Sequence, residues 1–313
     1  MKYVRIFFTT LAILLIITIA AGYILFRREN TELYSLDGSS RKNVPGSFVQ
    51  LSDGVTHYEL AGPDTGKLVV LVHGFSVPYY IWDSNFSRLA QQGFRVLRYD
   101  EFGRGFSDRP DKVYEASLYR QQLSELLSKL QFQSVYAIAG VSFGAAVASD
   151  FVVHNPALVT KVILVDPVYP ELSSSSSPYP EWFARYKMAI SPDDVVNGQL
   201  TDLKYPAQFP QWAHQYKVQM QYKGFRNALV STRFHYGPFD MIMSNYQELD
   251  SLRKPVLLIW GKEDKTVPFK YSDSLRRVLR TKYLPVDDAA HLPQMEKAAL
   301  VNERIISFLK ERS

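Results

Sequence analysis

The sequence predicts an α/β fold: a mostly parallel central sheet, helices on both of its faces, and a helical insertion late in the chain. Three observations predict it. Short, almost wholly apolar runs at residues 67–72, 135–139, 161–165 and 255–260 have the length and continuity of strands covered on both faces. Helical stretches alternate with them, which implies right-handed crossovers between parallel strands. From about residue 170 to 246 that alternation stops, aromatic residues become dense, and no buried strand is visible. The 313 residues, 46% of them hydrophobic, suffice for one large domain with an insertion.

Residues 6–26 carry no charge and lie between Lys2 and Arg5 on one side and Arg27 and Arg28 on the other. At 1.5 Å per residue, a helix of that length spans the roughly 30 Å hydrocarbon core of a bilayer. A membrane-spanning anchor over residues 1–30 is the first reading, and a cleaved signal peptide is the competing one. Ala20-Ala21-Gly22 offers small residues for cleavage, but Tyr23-Ile24-Leu25-Phe26 continues the apolar run beyond them. A signal core is usually only about 7–15 residues long. The flanking charges favour the N-terminus inside and the body on the non-cytoplasmic side; secretion after cleavage is the alternative.

The net charge is +5, of which +3 falls within residues 1–30, leaving 32 basic against 30 acidic residues in the body. A near-neutral body has no electrostatic footprint for nucleic acid. With no cysteine in the chain, disulfides, thiolate chemistry and cysteine metal sites are excluded. No histidine pair has a spacing suited to zinc. Asn85-Phe86-Ser87 is a lone glycosylation sequon.

The elements follow in order. Residues 31–46 are polar and rich in turn formers and read as a tether. Residues 47–51 and 55–61 flank Ser52-Asp53-Gly54 as a hairpin, with His57 a structural residue of its second strand. The strand at 67–72 ends at His73-Gly74-Phe75. A helix over 82–92 and a strand over 94–99 lead to Asp100 and a glycine-rich loop. That loop contains Gly103-Arg104-Gly105 but neither G-x-G-x-x-G nor G-K-[ST], which counts against a nucleotide site. Leu118, Leu123, Leu126, Leu127 and Leu130 mark one face of a helix over 117–130. The strand at 161–165 closes on Asp166-Pro167. A run of serines at 173–177 opens the insertion, and Trp182, Tyr186, Trp212, Tyr216, Phe225 and Tyr236 lie within it. Most of its aromatics are expected to pack the insertion itself, and a few to face a substrate cavity. The strand at 255–260 ends in Gly261-Lys262-Glu263-Asp264. A helix over 272–279, a strand over 282–286, the segment Asp287 to His291, and a helix over 298–310 complete the chain. The expected organisation is therefore an anchor (1–30), a tether (31–46), a first core part (47–168), a helical cap (169–250) and a second core part (251–313).

The chemistry centres on Gly140-Val141-Ser142-Phe143-Gly144, a G-x-S-x-G placed where a buried strand meets a helix. A nucleophilic serine needs a very tight strand-to-helix turn so that its hydroxyl stands clear of the backbone. Glycines on either side tolerate the crowding. Ser142, Asp264 and His291 each sit just past the C-terminal end of an expected strand, the edge where open parallel sheets collect ligands. Asp166 also ends a strand and is a rival acid, with Asp287 and Asp288 behind it.

Four separated signals now coincide: His73-Gly74-Phe75, residues 100–110, the Ser142 turn, and Gly261-x-x-Asp264-x-x-x-Pro268 followed by His291-x-Pro293. Together they make residues 47–313 resemble a serine α/β-hydrolase, most similar in form to membrane-anchored monoacylglycerol lipases and bacterial esterases. The resemblance implies roles. Ser142 would attack an acyl carbon, His291 would carry its proton, and Asp264 would orient the imidazole. The backbone N–H groups of Phe75 and Phe143 would form the oxyanion hole, with His73 and Gly74 supporting the loop. No cofactor or metal is implied, and the partners would be a small or lipid acyl substrate and the membrane. Serine where other members carry aspartate counts against epoxide hydrolase and haloalkane dehalogenase chemistry. A C–C bond hydrolase or a cofactor-free perhydrolase on the same triad remains open, as does a non-catalytic receptor or scaffold.

Overall fold

In a computed structural model, which describes residues 1–169, 179–237 and 239–311, the strands are β1 (Ser47–Leu51), β2 (Gly54–Ala61), β3 (Leu68–Val72), β4 (Arg95–Tyr99), β5 (Val135–Val141), β6 (Val159–Val165), β7 (Val256–Gly261) and β8 (Lys282–Val286). They form one sheet in the order β1-β2-β4-β3-β5-β6-β7-β8. The hairpin β1–β2 and the pair β2–β4 are antiparallel; every later pairing is parallel. The expected mostly parallel sheet is therefore present, and β3 and β7 are buried at every position.

Strand alternation distributes the apolar side chains between two cores. Val70, Val72, Leu97, Ile138, Leu164 and Leu258 face one layer, which holds α4 (Ala116–Lys129), α5 (Phe143–His154), α10 (Phe239–Ser251) and α11 (Lys270–Val278). Val69, Leu71, Val96, Ala137, Ile163 and Leu257 face the other, which holds α3 (Asp83–Gln91), α12 (Pro293–Glu296) and α13 (Ala298–Lys310). Asn85 is fully buried on α3, where its Nδ2 donates to Gln294 O and Asn302 Oδ1, so the sequon is not an accessible one.

Between β6 and α10 lie α6 (Glu181–Ile190), α7 (Pro192–Leu200), α8 (Trp212–Met220) and α9 (Phe225–His235). These helices close over the loop after β3: Gln219 Nε2 donates to Ser76 O at 2.7 Å, and Ser76 Oγ donates to Gln199 Oε1 at 2.9 Å. The helical segment read as 169–250 divides physically. Its last helix, α10, packs against α5 and α11, and Tyr246 Oη donates to Val168 O, so α10 belongs to the layer on the sheet. The serine run at 173–177 lies outside the described residues.

The N-terminal α1 (Lys2–Glu29) is long and apolar enough to cross a membrane by length and composition, and none of its residues is buried. The segment after it is pinned in two places. Leu33 N and Tyr34 N both donate to Gln221 O, Lys223 N donates to Tyr34 O, and Thr31 Oγ1 donates to Met220 O. Beyond these, Asp37 caps α2 (Gly38–Arg41), and Arg41 binds Phe106 O and the Asp108 carboxylate. The polar side chains of Thr31, Asp37 and Arg41 supply some of these hydrogen bonds, and the backbone of Leu33 and Tyr34 supplies the rest.

Candidate active site

Ser142 joins β5 to α5 at φ 55°, ψ −120°, a conformation that costs an L-residue about 1–3 kcal/mol. The surroundings impose it. Ser142 N donates to Val165 O at 2.8 Å, and Val168 N donates back to Ser142 O at 3.2 Å. The glycines are steric necessities: a Cβ on Gly140 would stand 2.2 Å from Gly144 O, and one on Gly144 would stand 2.2 Å from His73 O. Either would spread the turn. The half-buried Ser142 hydroxyl takes no hydrogen bond among the described residues.

Asp264 and His291 meet. Asp264 Oδ2 accepts from His291 Nδ1 at 2.7 Å, while Asp264 Oδ1 accepts from Thr266 N and Val267 N at 2.8 and 2.9 Å. The three donors lock the carboxylate and fix the imidazole tautomer, leaving Nε2 for the reacting side. His291 is almost wholly buried, and its backbone N–H donates to Asp202 O in the turn after α7. Burial works to lower its pKa, but the charge and hydrogen bond of Asp264, with Asp202 and Glu296 behind it, outweigh burial and raise it to about 9. Ser142 stands on the same sheet edge, two strands from β7. Its hydroxyl is not hydrogen-bonded to Nε2; such bonds commonly tighten only in the complex with substrate.

The rival acids are otherwise engaged. Asp287 pairs with Lys262 and is exposed; Asp288 pairs with Lys204 and Lys297. Asp166 is fully buried at φ 41°. Its Oδ1 accepts from Gly261 N at 2.9 Å, and its Oδ2 has no donor among the described residues. One atom each of Asp166, Asp264 and His291 lies within 4.8 Å of the others. A metal could in principle take such a trio, but burial and the adjacent Asp264 carboxylate push the Asp166 pKa well above the ordinary range. That direction favours the neutral form of Asp166 over the charged one.

The loop after β3 lies against Ser142: a Cβ on Gly74 would be 3.7 Å from Ser142 Cβ. The Phe75 and Phe143 rings meet edge to face at 5.8 Å, and neither residue's backbone N–H has a partner among the described residues. His73 is fully buried. Its Nδ1 donates to Gly74 O at 2.7 Å, and its Nε2 accepts from Glu101 N at 2.9 Å. Burial holds its pKa down to about 4, so it is a neutral brace. Tyr119 and Tyr236 are buried against Phe143 in the core, with ring centroids 5.6 and 4.5 Å from its own. Of the insertion's aromatics, Tyr236 packs on Phe143, whereas Tyr216 and Phe225 pack on each other.

Arg104 is the residue that sequence reasoning missed. Its fully buried guanidinium donates to Phe75 O at 2.9 Å, Phe102 O at 3.1 Å, Thr232 Oγ1 at 3.0 Å and the Tyr119 hydroxyl. It ties the Phe75 loop to α9. Its position between two glycines was the only signal, and that signal pointed nowhere in particular. Arg104→Met is expected to strand several buried acceptors, costing about 3 kcal/mol or more in stability. A thermal melt and turnover measured on the same sample should show the midpoint falling by several degrees and the rate falling with it.

A family model described as the alpha/beta hydrolase family matches residues 69–304. The AB hydrolase superfamily protein YfhM of Bacillus subtilis is 25% identical over 288 residues, covering 86% of this chain and 99% of its own. The carboxylesterase YbfK of the same organism is 23% identical, covering 84% and 86%. Among solved structures, a thermophilic esterase from Thermogutta terrifontis superposes with a TM-score of 0.70 at 21% identity, covering 85% of this chain and 98% of its own.

Proposed function

The chain belongs to the alpha/beta hydrolase family, and on that footing we propose that it is a serine hydrolase cleaving carboxylic esters of lipid-like, monoacylglycerol-type substrates. The single observation that carries this reading is Ser142, held in a strained turn at the strand edge with its hydroxyl outside the protein's own hydrogen bonding. Ser142 Oγ attacks the acyl carbon as His291 Nε2 takes its proton. The backbone N–H groups of Phe143 and Phe75 receive the negative charge that develops on the carbonyl oxygen. His291 then hands its proton to the leaving alcohol, with Asp264 stabilising the imidazolium between the two transfers. Water, deprotonated by the same imidazole, releases the acid and restores Ser142. The partly exposed Phe75 beside the Ser142 turn suits an apolar acyl chain, and α1 suits an amphipathic substrate if it anchors the chain with the body on the non-cytoplasmic side.

The reading is tested on the full chain in detergent with p-nitrophenyl esters of increasing acyl length. Hydrolysis that depends on Ser142 is expected. Inertness to every ester, with cleavage of a vinylogous diketone instead, would move the chemistry to C–C bonds.

The pH profile is a separate expectation. His291 must be neutral to accept the serine proton, and its pKa is raised from 6.5 to about 9. More of the imidazole is therefore protonated and inactive at neutral pH. The value of kcat/KM should climb about tenfold per pH unit on the acid limb, with its midpoint displaced from 6.5 toward about 9. Asp264→Asn removes the largest raising influence and should move that midpoint down.

A further inference from the structure

The cap helices and the end of α1 are joined by specific contacts. Tyr186 of α6 donates its hydroxyl to Gly22 O at 3.0 Å, and it fits because position 22 has no side chain: a Cβ there would stand 3.1 Å from the Tyr186 oxygen. Arg226 of α9 lies over the Phe26 ring and donates to Asn30 Oδ1 at 2.7 Å. Glu32 accepts from the Gly224 and Arg226 backbone N–H groups at 3.0 and 2.6 Å, at the N-terminus of α9, where a negative charge is favoured. With the backbone bonds of Leu33 and Tyr34 to the turn between α8 and α9, the apolar helix is docked onto the cap at several successive points.

That docking fixes which face of the body meets lipid once residues 6–26 span a bilayer. Gly22 lies four residues before the end of the apolar stretch, or ~6 Å below it along the helix. The contact with Tyr186 therefore brings α6 down to the boundary between acyl chains and headgroups. Trp182, one turn earlier on α6, is 68% exposed. It lines a cleft of about 270 Å³ together with Phe26, Glu32, Arg185, Tyr186 and Arg226. An exposed tryptophan flanked by arginine, beside the last apolar residue of a span, has the composition of a membrane-interface belt.

We infer that the cap lies against the bilayer, with α6 resting in the headgroup region and Trp182 immersed at the acyl–headgroup boundary. The occupant of this surface is the lipid bilayer itself. An ester dissolved in the bilayer then meets the cap before it meets water, which deepens the substrate reading above without depending on which ester is cleaved.

The four tryptophans make the test selective: Trp82, Trp212 and Trp260 are buried and Trp182 is not. The full chain is reconstituted into phosphatidylcholine vesicles whose acyl chains are brominated close to the carbonyl, and vesicle flotation is run in parallel. The chain is expected to float and to lose about a quarter of its emission relative to unbrominated vesicles, the share of one tryptophan among four. Trp182→Phe should float equally and lose that brominated-lipid effect. A chain that floats with Trp182 unquenched would overturn the inference while leaving the anchor intact, and would point to a second copy or another protein on this face. A chain that does not float would overturn the inference and the anchor together.

Discussion

Ser142→Ala is expected to lower kcat on p-nitrophenyl esters by on the order of 10⁶, while leaving the thermal midpoint and the circular dichroism unchanged. Both halves of the expectation come from the turn. Alanine and serine pay the same cost at φ 55°, so the replacement removes an oxygen without relaxing the backbone. The Phe75 and Phe143 N–H groups stay in place and should retain about 10³–10⁴ of acceleration over water. His291→Ala should cost about as much as Ser142→Ala, and the double variant little more, because nucleophile and base act as a unit. Comparison of the three variants under one assay measures this directly. Ester hydrolysis that survives Ser142→Ala would mean that another group attacks the substrate.

Asp264→Asn is expected to cost about 10⁴ in kcat. The asparagine can still accept from Thr266 N and Val267 N, but its amide cannot accept from His291 Nδ1 while presenting an NH₂ there. The imidazole then loses its tautomer and its counter-charge together. Asp166→Asn is the informative contrast. Asparagine is close in shape to a protonated aspartic acid: its oxygen can accept from Gly261 N, and its NH₂ can donate to Asp264. The loss should stay within about tenfold, the worth of one perturbed hydrogen bond. Steady-state rates for the two variants decide between them. If Asp166→Asn were the crippling change and Asp264→Asn the mild one, the acid would be assigned to the wrong strand end.

Several of these features were legible in the sequence for identifiable reasons. The strands β3, β5, β6 and β7 are buried almost throughout, and burial on both faces writes a continuous apolar run. The Ser142 turn was legible because backbone oxygens 2.2 Å from any added Cβ leave only glycine at 140 and 144. Strand-end position left Asp264 in competition with Asp166, and the resemblance to serine α/β-hydrolases, through Gly261-x-x-Asp264-x-x-x-Pro268 and His291-x-Pro293, singled out Asp264 and His291.

What stayed hidden depends on distance across the fold. Arg104 finds Thr232 at a separation of 128 residues, and nothing local distinguishes a buried arginine from a solvated one. The upward shift of Asp166 follows from its burial and from the Asp264 carboxylate at the end of the neighbouring strand, so the sequence could present Asp166 only as a competitor. An amphipathic pattern reports that α10 has a buried face but not that α5 is what covers it. Residues 31–46 read as a tether because polar side chains such as Thr31, Glu32 and Arg41 serve a linker and a docked segment equally well.

The most direct measurement is fluorophosphonate labelling of the folded full chain, followed by mass spectrometry of its peptides. A single adduct on Ser142 is expected, abolished in Ser142→Ala and strongly slowed in His291→Ala. No adduct, or an adduct on another residue that persists in Ser142→Ala, would contradict an imidazole-activated serine at this turn.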